Sequence, residues 1–367
     1  MTIFNKDFNV VYIRVVQGCN LNCTHCFTMG DRDPIKLTEL SLIERYLKAI
    51  KKNVDPNKIT FYIHGGETFL APLPYLKSVN DIIRRIFKGK RFDIIPQTNL
   101  TFKVGQEFVD FVRTEYNNNI GVSWDADIRY IHNRQEQRFF KNVKFLLSEG
   151  VRTNISITVQ RHLLKHDPIE VVNKFEGVES IDFELLTTFD EKTRDLKVKN
   201  DEWSVWYDKV VEHYQTQTVS WCLPQVDLFV KSFTSGTIFD CKCNCCDKRT
   251  FTLNPNGTVG FCPDKTYVEP LFTVDALESR WEEVEEKAIE VVVKKIADSH
   301  LSTLCTTCEH YDFCGGNCES DLFDDTGECP LSRKVLSRIK RNTNTFERLY
   351  KEKAKLKLIE LRDDYDH

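Results

Sequence analysis

The chain has 367 residues, 41% apolar and 29% charged, with a formal net charge of −4. These globular values exclude a disordered chain and give no electrostatic case for an obligatory nucleic-acid partner. No window approaches the length of a membrane span, and Met1 to Asn9 lacks the apolar core of a signal peptide, so a cytoplasmic protein with no membrane partner is expected.

The length suggests one large domain with a smaller one. Fourteen cysteines are many for a reducing compartment, and they cluster: three at 19–26, the isolated Cys222, and ten between 241 and 329. In a cytosolic chain such clustering reads as metal ligation. Cys222, between Trp221 and Leu223, reads instead as a small buried apolar residue.

The first 215 or so residues alternate strand and helix signals. Strands are expected at 10–16, 59–64, 92–97, 120–124, 154–159 and 180–185. Helices are expected at 37–52, 73–87, 106–116, 139–147, 169–175 and 202–214. Six such units imply parallel strands joined by right-handed crossovers but are too few for a standard eight-stranded barrel. The expected fold is α/β, an open (β/α)6 partial barrel over 1–218. A cysteine-rich domain over 219–335 and a basic helix over 336–367 follow it. Thr250 to Val259, with its Pro-Asn-Gly turn, reads as a hairpin. Leu331 to Leu361 reads as one long helix. From Arg333 to Arg362 it carries eleven Lys/Arg against three Glu. That is a solvated basic face or an attraction for an acidic peptide leader.

Directly after the first strand come Cys19, Cys23 and Cys26, spaced Cx3CxxC and followed by Phe27. Three thiolates on one loop can converge on one centre. Structural zinc almost always takes four ligands, so a zinc loop would borrow a fourth, such as His25. A [4Fe-4S] cluster takes one cysteine per iron, and three cysteines leave one iron open.

This motif resembles the signature of the radical S-adenosylmethionine (SAM) superfamily, with His25 where the family usually has an aromatic residue. The resemblance implies that Cys19, Cys23 and Cys26 hold a cluster whose open iron chelates SAM. Reductive cleavage then yields a 5′-deoxyadenosyl radical that abstracts a hydrogen atom from substrate. Gly65-Gly66-Glu67-Thr68, after the second predicted strand, resembles the family's Gly-Gly-Glu-Pro motif at the SAM amino group, with Thr68 in place of proline. The bland reading of two glycines is a simple connector. Thr98 and Asn99 end the third strand, as similar pairs do in relatives. Ser123 and Asp125 end the fourth, on one face with Trp124 on the other, and suit a ribose diol. Arg134 resembles the arginine that pairs with the SAM carboxylate. Arg138 is a rival, and a surface arginine at a helix start is the alternative to both.

Downstream, residues 219–335 resemble the SPASM extension of radical SAM enzymes: a cysteine, a hairpin with Gly-x4-Cys ending at Cys262, then CxxCx5CxxxC (Cys305, Cys308, Cys314, Cys318) and Cys329. The resemblance implies two auxiliary [4Fe-4S] clusters. One would use Cys241 and Cys246 with Cys262 and Cys318, leaving Cys243 and Cys245 open as substitutes. The other would use Cys305, Cys308, Cys314 and Cys329. Two zinc knuckles are the alternative. Asp264 stands one residue further from its cysteine than an aspartate of related sulfatase-maturating enzymes that takes a substrate proton; a turn-forming Pro-Asp is the bland reading.

SPASM relatives mostly modify peptides. The resemblance therefore implies oxidative crosslinking of a ribosomally synthesised precursor peptide, fed by a reducing donor such as flavodoxin or ferredoxin. Formylglycine formation on a sulfatase, a small-molecule dehydrogenase and a non-catalytic metal-binding scaffold are the alternatives. Because the barrel pattern begins by residue 10, a leader peptide is expected to bind the barrel or SPASM surface rather than a separate N-terminal domain.

Overall fold

The computed structural model describes residues 4, 6–28, 35–130, 132–188, 191–236, 249–298, 303–314 and 324–363. Ten strands are present among them: β1 (Phe8–Gln17), β2 (Lys36–Leu37), β3 (Lys58–Gly65), β4 (Arg91–Thr98), β5 (Asn119–Trp124), β6 (Arg152–Val159), β7 (Ser180–Leu185), β8 (Thr250–Leu253), β9 (Thr258–Gly260) and β10 (Phe272–Thr273). The helices between them in the first half are α1 (Leu40–Asn53), α2 (Leu73–Ile86), α3 (Gln106–Glu115), α4 (Asn133–Ser148), α5 (Pro168–Asn173), the short α6 (Glu191–Arg194) and α7 (Asn200–Thr216). Each of the six predicted strands is present.

The chain forms two compact units: residues 1–154, 187–195 and 244–299, and residues 155–186, 196–243 and 300–367. In the first, the strands run in the order β10-β9-β8-β1-β3-β4-β5. β1, β3 and β4 pair in parallel, and β4 meets β5 in parallel at Gln97–Gly121 and Thr98–Val122. Alternation assigns the two faces of this sheet. Val11, Ile13 and Val15 of β1 and Ile59, Phe61 and Ile63 of β3 are fully buried. The helices cover that apolar face: α1 buries Ile43, Tyr46, Leu47 and Ile50, and α2 buries Leu76, Val79 and Ile83, at the spacing of one helical stripe. The other face carries Tyr12, Arg14, Tyr62 and His64, and Tyr12 stacks on Tyr62 with ring centroids 5.0 Å apart.

The hairpin is not confined to a separate cysteine-rich domain. β8 pairs in parallel with β1, from Val10–Thr250 to Ile13–Leu253, and so extends the barrel sheet on its free edge. Gly257 supplies the turn, at φ 84°. Phe251 and Phe261 are buried with Phe4, their ring centroids 5.1 and 5.8 Å from it. Arg45 of α1 also reaches across to Glu278 at 2.6 Å, on the helix Val274–Ser279 that follows the hairpin.

The second unit holds β6 and β7 as sheet neighbours. α7 packs there on α5, and a further helix, α8 (Pro224–Ser235), absent from the periodicity reading, packs on β7. Cys222 is buried, and its backbone bonds to Glu179 and Ile181 beside β7, the small apolar role expected of it. The C-terminal helix is a correction: Arg333–Arg341 and Thr343–Asp363 are separate, broken at Asn342. Among the described residues, several of its charges are paired. Arg338 and Lys334 bind Asp208, Lys340 binds Glu309, and Arg333 binds Glu328. α4 also begins earlier than the apolar pattern suggests, at Asn133.

Phe251→Ala should lower unfolding stability by about 3–5 kcal/mol, the usual penalty for emptying a buried phenylalanine site. Urea denaturation checks this; an unchanged midpoint would contradict the hairpin's place in the barrel sheet.

Candidate active site

The carboxyl ends of β1, β3, β4 and β5 meet at one edge of the first unit, where open α/β sheets collect ligands. Gly18, at φ 95°, turns the chain out of β1 into the cysteine loop. Two backbone bonds stitch that loop to the end of β3: Gly66 N–H donates to Val16 O and Glu67 N–H to Gly18 O, both at 3.1 Å. The glycines are required by this contact. A Cβ on Gly66 would lie 2.1 Å from Gly18 O, and one on Gly65 would lie 2.6 Å from Val16. Their first function is therefore close approach of two strand ends.

Glu67 braces the same edge. Its buried carboxylate accepts from Phe69 N–H at 3.0 Å, Thr98 Oγ1 at 2.6 Å and Asn99 N–H at 2.7 Å. Burial pushes its pKa up against the pull of these donors. Thr68, where the resembled motif has proline, gives its hydroxyl to Gln97 O at 2.7 Å, a tie that proline could not make. Asn99 reaches back to the cysteine loop, donating to Asn20 Oδ1 at 2.8 Å and to Cys19 Sγ at 3.6 Å. The next residue, Leu100, is held at φ 52°, a strained value for a buried leucine.

At the end of β5, Ser123 Oγ accepts from Gln97 Nε2 at 2.7 Å, while the indole of Trp124 turns away to Glu136. Asp125 is fully buried and binds His25 Nε2 at 3.0 Å and Arg129 Nε at 2.6 Å. Arg129 is the functional candidate that sequence reading missed; the i,i+4 spacing from Asp125 was the available signal. Burial opposes its charge, but Asp125 and Cys23 outweigh that and hold the guanidinium above its ordinary range. Arg134 is exposed in the first turn of α4, and Arg138, also exposed, bonds only weakly to Thr101 O at 3.3 Å.

Cys19, Cys23 and Cys26 are free thiols on this edge and feel one another's charge. Burial pushes Cys19 up to about 11 and Cys23 up to about 12; both are neutral thiols at ordinary pH unless a bound cation draws off the proton. His25 Nδ1, in the same loop, is buried with no hydrogen-bond partner among the described residues. Among those residues no three Cys, His, Asp or Glu side chains group about a single metal ion. A cubane, with one thiolate per iron, asks for a wider arrangement than one tetrahedral zinc. Three cysteine thiols on one loop are the donor set that a [4Fe-4S] cluster with one open iron takes.

On the hairpin side of the same unit, Arg14 of β1 is buried and donates to Asn254 Oδ1 at 2.6 Å and to Pro263 O. Its guanidinium lies 5.2 Å from the Phe27 ring and 5.6 Å from the Tyr267 ring. Burial lowers Arg14 to about 10 against the opposing field of Asp264. Asp264 in turn accepts from Thr187 Oγ1 at 3.0 Å. The Cys262–Asp264 segment is thereby held against the ligand-facing side of β1. In the second unit, burial raises Cys305 and lifts Cys329 to about 12, and Cys308 and Cys314 are close enough to act on Cys329. Cys241, Cys243, Cys245, Cys246 and Cys318 lie outside the described residues.

No family model matches the chain. In part of its sequence and in its fold, the chain is similar to maturating enzymes. More particularly, it is similar to a serine-type anaerobic sulfatase-maturating enzyme of Bacteroides thetaiotaomicron, 24% identical over 185 residues. That match spans 49% of this chain and 43% of that enzyme, so the chain covers less than half the length of the curated relative. In fold it is similar to anSMEcpe, solved with AdoMet and the Cp18Cys peptide: TM-score 0.69, 20% identity, 95% of this chain and 99% of that one. It is also similar to SuiB of Streptococcus suis, solved with its precursor peptide SuiA: TM-score 0.58, 15% identity, 88% of this chain and 76% of that one. These likenesses establish the open α/β partial-barrel fold. No helix among the described residues is long and apolar enough to cross a membrane.

His64, beside this edge, gives a pH prediction. Its Nδ1 accepts from Gly65 N–H at 2.8 Å, and burial, aided by Arg14 and Arg129, lowers its pKa to about 4. The unfolded chain takes up this proton near pH 6.5 while the folded chain does not, so stability falls as pH falls between those values. From about pH 7 to about pH 5.5, His64 should account for about 1 kcal/mol of lost stability. His64→Gln should lose correspondingly less in urea unfolding; equal losses would contradict the buried neutral imidazole.

Proposed function

We propose that the chain is a radical SAM/SPASM enzyme that oxidatively modifies a ribosomally synthesised peptide, forming a C–C, C–O or C–S crosslink. The observation that carries this reading is the Cx3CxxC loop locked by backbone to Gly66 and Glu67 at the carboxyl edge of a parallel sheet. Relatives of the same fold, solved with AdoMet and with peptides, support the cofactor and the substrate class. In this reading Cys19, Cys23 and Cys26 hold the SAM-binding cluster. Cys262 and Cys318, with Cys241 and Cys246, hold a first auxiliary cluster, and Cys305, Cys308, Cys314 and Cys329 a second. The catalytic barrel occupies 1–218 and the cluster-bearing extension 219–335.

When bound, the cluster and SAM supply the 5′-deoxyadenosyl radical; the protein supplies position. Gly65, Gly66, Thr98, Asn99 and Ser123 form the edge on which SAM lies. Glu67 contributes by fixing the Thr98 hydroxyl and the Asn99 backbone, because its carboxylate is already occupied. Asp125 contributes through His25 and Arg129, and the exposed Arg134 would have to move to meet the SAM carboxylate. Asp264, held by Thr187 beside Arg14, is the group that takes a substrate proton. Electrons come from a small reducing protein of the flavodoxin or ferredoxin kind.

Formylglycine formation on a sulfatase is the second reading, favoured by the sulfatase-maturating relative and by the anchoring of Asp264. The two differ in product: a formylglycine peptide is captured by a hydrazide, and a crosslinked peptide is not.

Replacing Cys19, Cys23 and Cys26 together with alanine should abolish 5′-deoxyadenosine formation in the anaerobically reconstituted, reduced protein while leaving roughly two-thirds of its iron, two of three cubanes. Retained 5′-deoxyadenosine would contradict the reading. Asp264→Asn should reduce modified peptide per 5′-deoxyadenosine by about 10²-fold, the usual worth of a general base, measured by mass spectrometry; an unchanged ratio would remove Asp264 from the mechanism.

A further inference from the structure

The cysteine loop has a buried ion pair along one side. Asp125 is fully buried, and its Oδ2 meets His25 Nε2 at 3.0 Å and Arg129 Nη2 at 2.5 Å. His25 stands between Cys23 and Cys26 in the chain, and the Cys23 thiol reaches the backbone carbonyl of Arg129 at 3.7 Å. Both members of the pair therefore stand at the loop: one through the imidazole between two ligands, the other through its own backbone. Their fields oppose each other there. The pair thus places a cation and an anion beside the same loop.

Reduction of a cluster adds one negative charge. A nearby buried cation favours that electron and a nearby buried anion disfavours it, and in a dry site neither is screened as it would be in water. Cluster potentials follow local charge and hydrogen bonding. Arg129 is a largely buried cation, 14% exposed, whose backbone meets the Cys23 thiol and whose guanidinium carries a carboxylate of its own, so the two influences partly cancel.

We propose that the Asp125–Arg129 pair sets the reduction potential of the cluster held by Cys19, Cys23 and Cys26, with Arg129 raising it and Asp125 lowering it. This rests on the reading of those cysteines as cluster ligands. Both residues act through the loop and are positioning residues: neither need touch the substrate. The pair would leave the cluster a strong enough reductant to cleave SAM yet one that a small protein donor can still reduce.

The test is an EPR-monitored redox titration of the reconstituted full-length chain without SAM, at about pH 8.5, above the ordinary imidazole range. The relevant signal is identified beforehand as the one that changes when SAM is added. Asp125→Asn should raise the midpoint and Arg129→Gln should lower it, each by at least about tenfold in the reduced-to-oxidised ratio, which is 59 mV for one electron. Arg129→Lys, which keeps the charge, should stay close to the wild type. A merely structural brace would not give shifts of opposite sign. Shifts of the same sign, or none, would overturn the proposal while leaving the cluster assignment intact. If Arg129→Gln does not retain its iron, Asp125→Asn decides alone: a rise supports the proposal, and a fall or no change overturns it. A wild-type protein with no SAM-responsive signal would overturn the cluster assignment and the proposal with it.

Discussion

The site depends on one close backbone contact, Gly66 against Gly18. It brings the end of β3 to within hydrogen-bond distance of the loop leaving β1, and no residue with a side chain fits there. Glu67 extends the same join to β4, through Thr98 and the backbone of Asn99. Asn99 closes the circuit on Asn20 and Cys19. Three strand ends and the cysteine loop are thus one hydrogen-bonded body. In the proposed radical reaction such rigidity matters, because a radical positioned loosely abstracts the wrong hydrogen.

Polar groups otherwise costly to bury recur along this edge. Glu67, Asp125, Arg14 and Arg129 carry charge, and each has partners that offset its desolvation. Their bonds run between elements far apart in sequence: Arg14 to Asn254, Glu67 to Asn99, Asp125 to His25. Arg14 thereby ties β1 to the hairpin, and Asp125 ties the end of β5 to the cysteine loop.

Much of the barrel was legible from period alone. Strands buried on one face, such as Ile59-Phe61-Ile63, and helices with a single apolar stripe declare themselves locally. The position of the cysteine loop was legible because it follows directly on an apolar strand. The pairing of β8 with β1 was not, since a strand of four residues says nothing about which edge it joins. Arg129 was overlooked because an arginine in a loop is ordinarily a surface residue; only its i,i+4 relation to Asp125 distinguished it. The C-terminal segment was legible as helix, but its break at Asn342 was not. Its basic excess reads as a solvated face or an attraction for an acidic leader; Arg338 pairs there with Asp208 and Glu212, and Lys340 with Glu309, partners distant in sequence.

The central claim is that the Cx3CxxC loop holds a cluster with one iron left open for SAM. The most direct measurement is electron–nuclear double resonance of the reduced protein with SAM labelled by ¹⁵N at its amino group and ¹⁷O at its carboxylate. The account predicts hyperfine coupling from both labels, because both groups chelate the open iron. Absence of coupling from both, in protein with its full iron content, would mean that no iron is open to SAM and would contradict the account.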